Sequence, residues 1–176
     1  MFDIPDLPAP DGRRMLRQAQ VTIHRLGSYR VSERLSSGAG AIDATYAFVA
    51  PDLARIKVEG GSTSVFVGDT RYLREGDGPW EVEHGAPSLS VPLFIWDQFR
   101  PWVDPRVVGS GRVDGRAAAI LAFFGDSAGT PVWFRLWVAE GGLVLKAQMR
   151  AQGHFMDQRY GDFDVPIVIT APRGAA

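Results

Sequence analysis

Cysteine is absent from the 176-residue chain, which excludes disulfides, thiolate metal sites, a cysteine nucleophile and a lipidated cysteine within this sequence. The redox compartment stays open. Asparagine is absent as well, so the acceptor that N-glycosylation requires is missing. Lysine is confined to Lys57 and Lys146, and arginine carries nearly all the positive charge, as in proteins of GC-rich bacteria. Neither sign of charge is in excess: the formal net charge is −1 with 22% charged residues, so no basic surplus points to nucleic acid or to an anionic membrane. No apolar run approaches the ~20 residues of a membrane helix. Residues 1–10 (MFDIPDLPAP) lack the basic start and apolar stretch of a signal peptide.

Catalytic signatures are missing too. No GxSxG elbow, HExxH, Walker loop or EF-hand pattern occurs, and Gly109-Ser110-Gly111 with Gly115 has the spacing GxGxxxG between strands, which is not a dinucleotide loop. A non-enzyme without a cofactor is expected. Glu81 and Glu83 alternate on one strand face and are expected in solvent, with nothing nearby to shift their pKa.

What is present is period. Met15, Leu16, Ala19, Ile23 and Leu26 recur at helical spacing, predicting a helix over 12–26 that Asp11 caps and Gly27 ends. From Tyr29 the period becomes two, with turn residues every eight to twelve positions, as in roughly ten strands of an antiparallel meander. The clearest strands lie at 42–48 and 54–58. Short strands around Val65, Tyr72 and Val82 are punctuated by Gly60-Gly61, Gly68-Asp69 and Gly76-Asp77-Gly78. Asp114-Gly115 is the strongest hairpin signal, joining 107–113 to 116–124. A further hairpin runs from 132–138 through Glu140-Gly141-Gly142 into 143–151, and 154–160 and 166–170 read as the last strands. The prolyl, acidic residues 1–10 read as a linker, 11–172 as one domain and 173–176 as a tail. The chain is expected to be a piece of something longer.

Residues 86–102 (APSLSVPLFIWDQFRPW) are apolar and aromatic, but Pro87, Pro92 and Pro101 exclude them from a central strand. They are expected to plug a core or cover one as a lid. On the strand at 132–138, Val132, Phe134, Leu136 and Val138 point one way and Trp133 and Trp137 the other, with Arg135 between them. A one-sided sheet has no need of the second apolar face. The candidate ligand-binding set is therefore Leu93, Phe94, Ile95, Trp96, Phe99, Trp102, Trp133 and Trp137. Met149, His154 and Met156 form an alternative Cu(I) set, since imidazole and thioether suit that ion, although methionines on a strand face ordinarily fill a core. His24 and His84 read as isolated surface or core residues.

The order of motifs carries a resemblance. The helix is followed by Tyr29-Arg30-Val31, then by Pro51-Asp52-Leu53 after a strand, and by Gly68-Asp69-Thr70-Arg71-Tyr72 with Trp80. The close is Tyr160-Gly161-Asp162-Phe163, then Pro166-Ile167-Val168-Ile169 before Pro172. From about residue 12 to 172 this resembles the LolA-like superfamily, and within it the LppX/LprG-type lipoproteins and related extracytoplasmic domains. The resemblance implies a mainly β, strongly curved antiparallel sheet forming an incomplete barrel, with the N-terminal helix and an apolar lid over its concave face. It also implies a monomeric, extracytoplasmic domain that binds a lipid or acyl chain and is tethered to a membrane by a segment outside this chain. Similar domains occur beside copper-resistance membrane modules and as ligand-free sensory or interaction domains, which are the alternative functions. Two features depart from the pattern. No lipobox cysteine is present, and the turn Ala139-Glu140-Gly141-Gly142 lacks an acidic residue before it.

An acyl ligand needs no polar motif. Burying a methylene is worth about 0.8 kcal/mol, so a chain of roughly sixteen carbons has a gross driving force of about 12 kcal/mol before association costs.

Overall fold

The computed structural model describes residues 9–127 and 129–175. Helix α1 spans Ala9–Ile23. It is followed by β1 (Ser28–Ser37), β2 (Gly40–Val49), β3 (Leu53–Val58), β4 (Ser62–Val67), β5 (Thr70–Glu75) and β6 (Glu81–His84). A short α2 (Ile95–Gln98) precedes β7 (Val103–Val113), β8 (Arg116–Ser127), β9 (Thr130–Val138), β10 (Val144–Ala151) and β11 (His154–Gly161). The strands form one eleven-stranded antiparallel sheet in the order β6-β5-β4-β3-β2-β1-β11-β10-β9-β8-β7. Its order is open, ending on β6 and β7. This is the mainly β sheet with an N-terminal helix that the sequence pattern predicts, and it is unclosed, as the family resemblance implies.

Two compact units divide the described chain, one made of 9–24 with Phe94–Asp157 and the other of Arg25–Leu93 with 158–175. In the first, α1 buries Leu16, Ala19 and Ile23, each at most 1% exposed, and lies against β7, β8 and the 3-10 turn at Glu140–Gly142. The helix differs from the expected 12–26 at both ends. It begins at Ala9 and ends at Ile23, so Asp11 sits inside the first turn, where its carboxylate favours the helix dipole and pairs with Arg14 at 3.1 Å. Proline is tolerated in a first turn because its missing N–H has no helical partner there.

Gly12 explains how closely the helix seats. A Cβ at that position would fall 2.1 Å from the Pro105 carbonyl oxygen of β7. Glycine lets the two backbones meet. The Asp114-Gly115 turn has both residues at positive φ (48° and 80°), the signature of the two-residue hairpin, and it sets the register Val113↔Arg116.

In the second unit β1 to β6 form a run of hairpins whose core includes Ala47, Val65 and Ile169. Residues 166–170, expected to be a strand, are not one. Pro166 and Pro172 bracket the segment, and Ile169 packs onto the sheet-face residues Ala47 and Val65, so it covers the sheet instead of extending its ladder.

Candidate functional site

Alternation on β9 sorts the first unit into two faces. Val132, Phe134, Leu136 and Val138 are buried, while Trp133, Arg135 and Trp137 are half-buried on the opposite side. The registers Phe123↔Phe134 and Leu121↔Leu136 extend the buried face into β8.

Residues 94–102 lie on that buried face. Trp96 has no exposure and Phe94 2%. The Trp96 ring meets Trp102 at 5.8 Å and Phe123 at 6.4 Å, and Phe99 meets Phe134 at 5.2 Å. Gly125 of β8 allows this approach, since a Cβ there would lie 2.7 Å from both the Cβ and the carbonyl oxygen of Phe99. Trp102 donates its Nε1–H to the Trp96 carbonyl (3.3 Å), and the Arg100 guanidinium lies 4.5 Å from the Trp102 ring centroid. The Trp96 Nε1–H is buried without an acceptor. Asp97, only 13% exposed, ties the segment to α1: it accepts from Gln20 (3.0 Å) and Arg100 (2.6 Å) and faces His24 Nε2 at 2.7 Å.

The eight candidate residues therefore fall into groups. Phe94, Trp96, Phe99 and Trp102 share one aromatic cluster, with Ile95 half-buried at the start of α2. Trp133 and Trp137 are on the other face of β9, where Arg135 and Lys146 lie across their rings at 4.8 and 4.6 Å. Long cationic side chains cover apolar surface there. Leu93, in the second unit, is gripped by the Tyr29 hydroxyl, which accepts from the Leu93 N–H (2.8 Å) and donates to its carbonyl (2.9 Å). Of the alternative metal set, Met156 is buried, Met149 is half-buried in register with Phe134, and His154 is exposed at the start of β11. Among the described residues no three His, Asp or Glu side chains cluster as a metal site.

A groove lies elsewhere in the first unit. An open groove of about 760 Å³ runs beside α1, with Met15 and Gln18 on one wall and Val138–Gly142 on another. Its floor is the small-residue stretch Ala117-Ala118-Ala119 of β8 beside Ser110 and Gly111 of β7, and Arg112 and Glu140 are its charged groups. Sequence reasoning missed it. The available signal was the alanine triplet, which the Asp114-Gly115 hairpin folds back onto Ser110, Gly111 and Arg112.

In the second unit a part-buried polar cluster adjoins the aromatic stack Tyr29–Phe48 (4.9 Å). Glu33 accepts from the Tyr46 hydroxyl (2.6 Å) and from Gln158 Nε2, and Gln158 accepts from the Tyr160 hydroxyl. Burial pushes the phenols of Tyr29, Tyr46 and Tyr160 above their ordinary value near 10; Leu93 partly offsets this for Tyr29, whereas the Glu33 carboxylate adds to it for Tyr46 and Tyr160.

The open antiparallel sheet preceded by one helix is a LolA-like fold, as the order of motifs implies. LprF from Mycobacterium bovis matches with a TM-score of 0.71 at 15% identity, over 94% of this chain and 98% of LprF. The Mycobacterium tuberculosis lipoprotein LppX matches with a TM-score of 0.66 at 12% identity, over 92% of this chain and 99% of LppX. MucB matches more loosely, with a TM-score of 0.53 at 18% identity over 93% of this chain, which spans 64% of MucB. No family model and no curated protein sequence matches the chain. Among the described residues no helix is long and apolar enough to cross a membrane.

Proposed function

We propose that the chain is a non-catalytic domain that binds a hydrophobic ligand, an acyl chain or lipid, in the groove beside α1. The observation that carries this reading is the groove itself: about 760 Å³ of space, within the range of ligand pockets, over a floor of alanine and glycine with a flexible methionine on its wall. Small floor residues leave room for methylenes. Arg112 supplies a cation for an acidic headgroup. Residues 94–102 take the role of a packed support, with Phe94, Trp96, Phe99 and Trp102 holding the sheet face on which the groove is built. Trp133 and Trp137 then belong to a separate surface.

On this reading the domain works outside the cytoplasm as a monomer, tethered by a segment beyond this chain, with neither cofactor nor reaction. The test is to extract the purified protein with organic solvent, identify co-purified lipid by mass spectrometry, and titrate the stripped protein with a fluorescent fatty acid. Saturable binding that falls at least about tenfold in Ala119→Trp, which projects an indole from the floor across the path of an acyl chain, supports the groove. No co-purified lipid and no saturable binding would refute it. The solid packing around Trp96 favours the second reading, an interaction module with a filled core, which those negative results would leave standing.

A further inference from the structure

The balanced charge of the whole chain conceals a local imbalance. Strand registers place Ile120, Trp137 and Lys146 in one row across β8, β9 and β10, Arg135 and Gln148 in the next, and Phe124, Trp133 and Arg150 in a third. All are on the face opposite Leu121, Phe134 and Leu136. Phe124 is 46% exposed. Among the described residues Asp157 of β11 and Asp126 of β8 bring carboxylates to this face; Asp157 is engaged by Arg150 and Gln148, and Asp126 accepts from the Gly129 N–H. Among the described residues Arg135 and Lys146 have no carboxylate partner within 4 Å, and the buried Nε of Arg135 has no acceptor. Their charges lie over the two indole rings, at 4.8 and 4.6 Å.

We propose that this face of the sheet docks on an anionic phospholipid bilayer. Indoles concentrate at the level of lipid headgroups because they are apolar in body and carry one N–H donor. Cations that are held over rings and lack carboxylate partners are attracted to a layer of phosphates. Both chemistries alternate here along adjacent strands. The indoles lie beneath long, flexible cations that can follow a deformable headgroup layer, and the exposed Phe124 beside them adds apolar surface for the headgroup boundary.

The test is sedimentation of the full chain with phosphatidylcholine vesicles, with and without about one third phosphatidylglycerol. The expected result is binding to the anionic vesicles at least about tenfold tighter than to the neutral ones at ~0.1 M salt, weakened at high salt, and a blue shift of tryptophan emission. The double variant Arg135→Gln/Lys146→Gln should lose about tenfold or more of that binding while keeping its thermal midpoint. Ala119→Trp, which obstructs the groove, should bind vesicles as the wild type does. Equal binding to both vesicle types, no binding, or an unaffected double variant would overturn the proposal. So would loss of vesicle binding in Ala119→Trp, which would assign the lipid to the groove. A change of oligomeric state in the double variant, with vesicle binding unaltered, would instead make the face a contact between copies and equally overturn it.

Discussion

Replacing Gly12 with alanine sets two physical effects against each other. Inside a helix, glycine to alanine ordinarily stabilises by about 1 kcal/mol, because alanine restricts the unfolded chain and solvates less backbone. Here the added Cβ would lie 2.1 Å from the Pro105 oxygen, 2.5 Å from its carbonyl carbon and 2.8 Å from Arg106 Cα. All three are backbone atoms of β7, so no side-chain rotation relieves the clash, and α1 must retreat by roughly 1 Å from a close-packed contact. Overpacking costs about 1–3 kcal/mol and more against a rigid neighbour, which outweighs the propensity gain. The expected net loss is about 2 kcal/mol, seen as a thermal midpoint lower by about 4–8 °C for a chain of this size. Gly109→Ala is the control: nothing lies within 4 Å of its Cβ, so it should be neutral or slightly stabilising. Circular dichroism melts with urea titrations decide the matter. A Gly12→Ala midpoint equal to or above wild type would refute the close seating of α1 on β7, and with it the wall that Met15 and Gln18 give the groove.

Three further outcomes are expected. The phenols of Tyr29, Tyr46 and Tyr160 hold their protons more tightly folded than unfolded, so their contribution is fully present below pH ~10 and is lost as pH rises above it, at up to about 1.4 kcal/mol per pH unit for the fully buried Tyr160. Urea midpoints measured from pH 8 to 12 should fall only beyond about pH 10, less steeply in Tyr160→Phe, and a flat profile would count against that burial. Asp97→Ala leaves Gln20, His24 and Arg100 without their shared acceptor and should cost about 1–3 kcal/mol, with faster amide exchange in α2; an unchanged urea midpoint would show that the tie contributes nothing. Cu(I) titration against a competing chelator should reveal no submicromolar site, because Met156 is buried and His154 exposed; tight binding lost in His154→Ala would reverse that.

Much of the architecture was legible because strand period and turn chemistry are local. Asp114-Gly115 announced its hairpin, and the face-by-face division of β9 follows from simple alternation of Val132 to Val138. Proline placement likewise kept residues 86–102 out of the sheet. The helix ends were less legible, since Asp11 serves equally as a cap or as a first-turn acid and only the chain before it decides. The strand expected at 166–170 failed for a non-local reason: alternating Ile167 and Ile169 look the same whether the backbone joins a ladder or crosses over Ala47 and Val65. Least visible was the groove. It is made by what Ala117, Ala118, Ala119 and Gly111 do not fill, and hydrophobic pattern reports side chains that occupy space, not the volume left by small ones. The pairing of Lys146 with Trp137 also depends on register between strands, which sequence spacing alone does not set.

Among the described residues an open sheet order ends on two edge strands, and an edge strand is a template on which another chain could add hydrogen bonds. Both are blunted. The edge at β6 is only four residues long and carries Glu81, Glu83 and His84, and the exposed acids would repel a second copy of the same strand. The edge at β7 is long, eleven residues, but its ladder with β8 is broken at Val103/Arg106 and Val107/Gly109, Pro105 withholds an N–H, and Asp104 turns to positive φ. These irregularities deny an incoming strand a continuous register. Smoothing β7, for example with Pro105→Val, should therefore raise the tendency to form edge-to-edge aggregates, while lengthening β6 with β-branched residues would do the same from the opposite end of the strand order.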